Sequence, residues 1–119
     1  MSQENSPLHD FTVFGGSQAH ASGPLYHQAY DLGRSLAQSG FGVISGGYGG
    51  TMEAVSRGAR EAGGQAIGIT LATFDRRGRR ANRWLSAEHK AENYLARLAE
   101  LTGRASGFAA LKGSIGTLS

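Results

Sequence analysis

The sequence predicts an α/β fold, a doubly wound parallel sheet with helices on both faces, from three observations. Short apolar runs alternate with stretches of helical period from Phe11 to Ile69. Strand, helix, strand, helix, strand in that order calls for parallel strands joined by helical crossovers. Glycine clusters follow the apolar runs at Gly15-Gly16, at Gly46 to Gly50 and at Gly113 to Gly116, as turns at strand ends do. The length, 119 residues, suits one domain with one modest core.

Residues Met1 to Asp10 are polar, contain a proline and read as a flexible tail, so the domain is assigned to residues 11–119. Phe11 to Phe14 reads as the first strand, and it ends at Gly15-Gly16-Ser17, where backbone can approach a ligand. Ser22 can cap the helix that follows, Pro24 suits its first turn, and Leu25, Ala29, Leu32 and Leu36 trace its buried face until Gly40 stops it. The β-branched Val43 and Ile44 suit a buried second strand.

After the central glycines, Met52, Val55, Ala59 and Ala62 recur at helical spacing. Ala54, Gly58 and Ala62 form a small-residue stripe expected to lie tightly on the sheet. Gln65 to Ile69 is a third strand. Leu71 to Glu92 has no clean period and predicts an irregular segment, with an extended stretch or short strand near Trp84 to Ser86. Asn93 can cap another helix, whose Tyr94, Leu95, Leu98 and Leu101 share a face and which closes at Thr102-Gly103. Gly107 to Leu111 is a short apolar strand. It runs into Lys112-Gly113-Ser114-Ile115-Gly116-Thr117, and Leu118-Ser119 reads as the first turn of a further helix.

A net charge of +3 traces to Arg76, Arg77, Arg79, Arg80 and Arg83, without which the balance would be acidic. Such a run serves as a solvated loop, a contact for an anionic ligand or a contact for nucleic acid. No aromatic residue is interleaved with it to stack bases, which makes nucleic acid the weakest of the three. No hydrophobic run approaches a bilayer span and the N-terminus is unlike a secretory signal, so no membrane partner is expected and the reading is a soluble, cytoplasmic protein. The absence of cysteine excludes disulfides and thiolate chemistry. His9, His20, His27 and His89 form no ligand cluster, so neither metal nor cofactor is expected.

A strand, a glycine turn and a helix N-terminus in succession expose backbone N–H groups and the positive end of a helix dipole. From Ser45 to Glu53 the sequence offers that order, either as a phosphate or anion site or as a turn that only packs a helix on a strand. The dinucleotide pattern G-x-G-x-x-G fails, because counting from Gly47 its third glycine falls on Met52. In a doubly wound sheet the three glycine turns share one edge, where such sheets bind ligands. That placement favours a pocket for a phosphate-bearing small molecule.

Ser45-Gly46-Gly47-Tyr48-Gly49-Gly50-Thr51-Met52-Glu53, with Gly58-Ala59 and Gly63-Gly64 after it, resembles the first signature of the Lonely-guy (LOG) family, some of whose members carry the label lysine decarboxylase. Gly113-Ser114-Ile115-Gly116-Thr117 resembles the second, Pro-Gly-Gly-x-Gly-Thr-x-Glu-Glu, with Lys112, Ser114 and Ser119 as departures. The resemblance implies a Rossmann-like fold, a homodimer, and a phosphoribohydrolase that cleaves a nucleoside 5′-monophosphate into base and ribose 5-phosphate. It makes Arg97 the catalytic arginine, and its two signatures, with the glycine turn at Gly15, Gly16 and Ser17 on the same sheet edge, give Ser45, Gly46, Gly47, Gly49, Gly50, Thr51, Met52, Glu53, Gly113, Ser114, Gly116 and Thr117 as further substrate-binding residues.

Glu53, the only carboxylate inside a signature, is either a ligand contact or a residue that stabilises a helix N-terminus. The family's catalytic glutamate would follow Ser119, so the expectation is a C-terminally truncated, inactive form, a fragment of a longer protein. Decarboxylation of lysine does not fit, because Lys90 and Lys112, the only lysines, sit in no recognisable pyridoxal site. The alternative is a binding protein that carries a nucleotide or molybdenum cofactor without turning it over, since a related branch of the family carries that cofactor.

Overall fold

The computed structural model describes residues 10–16 and 23–111. In chain order the elements are β1 (Asp10–Phe14), α1 (Pro24–Gln38), β2 (Gly42–Ser45), α2 (Thr51–Glu61), β3 (Ala66–Leu71), α3 (Ala72–Arg76), β4 (Ala87–Ala91), α4 (Tyr94–Gly103) and β5 (Gly107–Ala110). The strands form one five-stranded sheet in the order β4-β3-β2-β1-β5, and every pairing is parallel. The chain winds outward from β1 to β4, then returns to the far side of β1 for β5. Strand order therefore reverses between β1 and β5, which makes their carboxyl ends the switch point of a Rossmann-like sheet. Among the described residues no helix is long and apolar enough to cross a membrane.

Consecutive residues of β2 bury on opposite faces. Val43 joins Val13, Ala29, Val55 and Ala59 under α1 and α2, whereas Ile44 joins Ile69, Ala91 and Leu101 under α4. A strand covered on both sides has no polar face, which is why this run shows no alternation. Burying each such aliphatic side chain stabilises the fold by about 1.5–3 kcal/mol.

Helices α1, α2 and α3 stop by one device. Gly40, Gly63 and Gly78, with φ of +91°, +87° and +82°, each follow the last turn in a left-handed conformation. The next residue then reaches back to the helix, as in Phe41 N–H to Leu36 O at 2.9 Å and Arg79 N–H to Phe74 O at 2.9 Å.

Four expectations are corrected. In α1 the fully buried residues are Tyr26, Ala29 and Gly33, and the predicted leucines lie half-buried beside them. The reason is backbone contact between α1 and α2. A β-carbon on Gly33 would lie 2.1 Å from Val55 O, and one on Gly58 would lie 2.1 Å from Tyr30 O. The small-residue stripe of α2 thus meets α1 at Gly58, whereas its Ala54 packs in the core with Val13 and Val43 of the sheet. Ser22 lies outside the described residues, and Gly23 is the N-cap of α1 without a side-chain bond.

Between β3 and α4 the short strand near Trp84 is replaced by α3 and by β4. Trp84 to Ser86 is the lead-in, tied where Ser86 N–H donates to Ala66 O at 2.7 Å. Ala-Glu-His-Lys-Ala has little intrinsic strand preference. It is extended because it pairs with β3 from Ala87 opposite Ile67 to Ala91 opposite Leu71.

The fourth correction concerns α4. Its cap is as expected, with Asn93 Oδ1 accepting from Ala96 N–H at 2.8 Å. Its apolar face is not the packed one, because Tyr94 is 66% exposed, Leu95 77% and Leu98 50%. Of that set only Leu101 is buried. The helix is turned to bring Arg97 and Leu101 against the sheet.

Candidate functional site

Three strand ends and two short segments build a cleft at the carboxyl edge of the sheet. Ser45, the last residue of β2, is buried and its Oγ accepts from Gly47 N–H at 3.1 Å. Gly47 and Gly50 take φ of +86° and +67°, values that side chains resist, so the chain reverses here and enters α2. Thr51 then ties this turn to the one after β1. Its N–H donates to Gly16 O at 3.0 Å and its hydroxyl donates to the same oxygen at 2.8 Å.

Arg97 closes the cleft from α4. Its Nε donates to Ile69 O at 2.7 Å and its Nη2 to Gly46 O at 2.8 Å, so one guanidinium joins β3 to the end of β2. Gly46 has no side chain because the guanidinium lies on it. A β-carbon there would stand 2.2 Å from Arg97 Nη2 and 2.7 Å from Met52 Sδ. Burial, the largest influence, lowers the Arg97 pKa from its ordinary value; the rings of Tyr48 and Tyr94 oppose this and the charge of Arg79 adds to it. Arginine stays protonated through such shifts.

Tyr48 forms an aromatic wall. Its hydroxyl accepts from Leu71 N–H at 2.9 Å, and its ring lies 5.3 Å from that of Phe74, contributed by α3. Arg79 stacks over both rings, 4.8 Å from the Tyr48 centroid and 4.6 Å from that of Phe74. Arg97 stands 5.6 Å from the same Tyr48 ring. Asn82 fastens this loop to the glycine turn, with its N–H on Gly47 O at 2.8 Å and its Nδ2 on Tyr48 O at 3.0 Å.

The cleft has a volume of about 250 Å³. Of the residues expected from the sequence, Gly15, Gly46, Met52 and Arg97 line it. Ser45, Gly47 and Thr51 are buried beneath it and shape the turn. Gly16 supplies the carbonyl that Thr51 holds. Gly49 and Gly50 are half-buried at the turn, and Glu53 stands half-buried in the first turn of α2, away from the lining. Ser17, Gly113, Ser114, Gly116 and Thr117 lie outside the described residues.

Tyr48, Phe74 and Arg79 line the cleft and were not singled out by sequence reasoning. Tyr48 stands inside the glycine run, where no pattern sets it apart. Arg79 was one of five arginines that nothing in the sequence separated. Among the described residues no group of three or more His, Asp or Glu side chains could hold a metal ion.

Comparison with known proteins bears on this site. No curated protein matches the chain. The X-ray structure of TM1055 is 31% identical, with a TM-score of 0.72, over 87% of this chain and 60% of that one. The chain thus spans about 60% of the length of that structure. The molybdenum cofactor carrier protein of Chlamydomonas reinhardtii is 21% identical, with a TM-score of 0.75, over 92% of this chain and 66% of that one.

The molybdenum cofactor binding protein of the phototrophic bacterium Rippkaea orientalis is 23% identical, with a TM-score of 0.75, over 93% of this chain and 68% of that one. At that identity the last two show a shared fold. A model of the SLOG cluster4 family matches residues 9–119. With a family match over nearly the whole sequence and the sheet and glycine turns in place, the chain belongs to the SLOG cluster4 family, in the superfamily that includes the Lonely-guy proteins.

Proposed function

We propose that this protein binds a phosphate-bearing small molecule and holds it without hydrolysing it, as a carrier and not as a phosphoribohydrolase. One observation carries the reading: Arg97, fixed on Ile69 O and Gly46 O, presents a cation to a cleft walled by Tyr48 and Phe74. A cleft walled by arginine and aromatic rings suits an anion attached to a flat ring system.

The ligand class is a nucleotide or a pterin nucleotide such as molybdenum cofactor. In support, the Chlamydomonas and Rippkaea structures of the same fold are described as a carrier and a binding protein for molybdenum cofactor. At about 250 Å³ the cleft is small beside the usual range of about 300–1,000 Å³ for ligand sites. It takes the phosphate end and leaves the ring system at its mouth. In this reading Arg97 anchors the ligand, and a homodimer remains part of the proposal.

The test is calorimetric titration with AMP and with molybdenum cofactor, alongside an assay for adenine release from AMP. Binding of either ligand supports the site, and tighter binding of molybdenum cofactor than of AMP supports the carrier. Release above the rate in buffer would overturn it in favour of the hydrolase, and no binding of either ligand would remove the site.

A further inference from the structure

Five arginines crowd residues 76–83, and the structure gives them different work. Arg83 stacks on Trp84 at 5.2 Å, away from the cleft. Arg79 alone turns into it. Its backbone is set by the stop of α3, where its N–H reaches Phe74 O at 2.9 Å, and its guanidinium lies over both Phe74 and Tyr48. The same loop is fastened at Asn82 to Gly47 and Tyr48.

Arg79 is not tied to a carboxylate. Asp75, Glu88 and Lys90 lie with it at a neighbouring hollow, where both carboxylates bond to Lys90, at 2.6 Å and 2.8 Å. Among the described residues Arg79 has no ion-pair partner. Arg97 already presents one fixed charge to the cleft, and Arg79 places a second there beside the same Tyr48 ring. Two cations held at one small cleft attract a dianion about twice as strongly as a monoanion at the same distance.

We propose that Arg79 is the specificity-determining residue of the cleft, reading the second negative charge of a terminal phosphomonoester and so selecting it over a phosphodiester. The inference rests on the proposed phosphate-binding function. Contact with two rings restrains the guanidinium for bidentate pairing with phosphate oxygens, a geometry that lysine does not reproduce. Arg80 lies beside it in sequence and carries the same charge, yet stacks on neither ring.

The experiment is calorimetric titration of the full chain with AMP, with 3′,5′-cyclic AMP and with adenosine, for the wild type and for Arg79→Ala, Arg79→Lys and Arg80→Ala. The wild type is expected to prefer AMP over the cyclic diester by about tenfold or more, in line with a charge-assisted bidentate contact. Arg79→Ala should lose most of that preference while its affinity for adenosine stays within about twofold. Arg79→Lys should fall between the two. Arg80→Ala, with the same change in net charge, should keep the wild-type preference.

Equal affinity of the wild type for AMP and the cyclic diester would overturn the inference and leave the binding function standing. So would an unchanged preference in Arg79→Ala, or an equal loss in Arg79→Ala and Arg80→Ala. Binding of neither phosphate ligand by the wild type would overturn both.

Discussion

A β-carbon placed on Gly15 would lie 2.0 Å from Thr51 Oγ1. Thr51 cannot retreat, because it is buried and its hydroxyl and N–H both hold Gly16 O. The two glycine turns are therefore locked to each other through one residue, and Gly15→Ala should strain that lock. The expected loss is about 1–3 kcal/mol, the usual range for overpacking. Urea denaturation is the measurement, and an unchanged midpoint would show that Thr51 has another place to go.

Gly33→Ala and Gly58→Ala test the contact between α1 and α2. Intrinsic helix propensity favours alanine by about 1 kcal/mol. Each new methyl, however, would meet a backbone carbonyl at 2.1 Å, and backbone yields only if the helices separate. Both variants should be net destabilised, by about 1–3 kcal/mol. A stabilised Gly58→Ala would show that the helices slide apart at little cost.

Arg97→Ala removes the donors that hold Ile69 O and Gly46 O. Leaving buried acceptors unpaired costs about 1–3 kcal/mol, and the proposed ligand loses its anchor as well. The variant should show a lower urea midpoint and should bind AMP at least about tenfold more weakly. Arg97→Lys can satisfy one carbonyl at a time and should recover part of the stability. Wild-type affinity in a folded Arg97→Ala would place the ligand elsewhere.

The pH dependence follows from the Lys90 trio. The Lys90 ammonium first, and the Thr70 hydroxyl second, hold the Glu88 carboxyl below its ordinary value. Its stabilising effect is thus complete above about pH 4.5, the range where a free glutamate ionises, and is lost as pH falls through the lower folded value. Lys90 is shifted upward, by Asp75 first and Glu88 second, so its share is complete below its ordinary value and lost only as pH rises through the folded one. Glu88→Gln should be less stable than the wild type at pH 7, by no more than about 1 kcal/mol for so exposed a pair. That difference should shrink below about pH 4 and in high salt. A difference that persists at pH 2 would assign it to packing.

Much of the fold was legible because its signals are local. Val43-Ile44 is apolar on both sides, a glycine stop ends α1 at Gly40, and Asn93 caps α4, all as read from the sequence. Helix α3 was not legible because five residues hold too little period, although Gly78 carries the same stop. Strand β4 was hidden because its extended state comes from the β3 ladder and not from its own residues.

At the site, the family resemblance pointed to Arg97, and the glycine turns were visible as clusters after apolar runs. The selection of Arg79 from among five arginines depends on two rings contributed by α3 and the β2 turn, which no spacing encodes. The apolar stripe of α4 was visible, but periodicity reports a face and not what covers it.

The two outer strands of the described sheet carry unequal protection. Along β4, Glu88 and Lys90 stand on the open edge, and charges there discourage another chain from adding a strand. Along β5 the sequence is Gly-Phe-Ala-Ala, with Phe108 53% exposed and no charge. Within the described sheet, unwanted strand addition, as on partial unfolding or at high concentration, is therefore favoured at the β5 edge over the β4 edge. Phe108→Lys should slow aggregation measured by light scattering, and a matching change on β4 should do little.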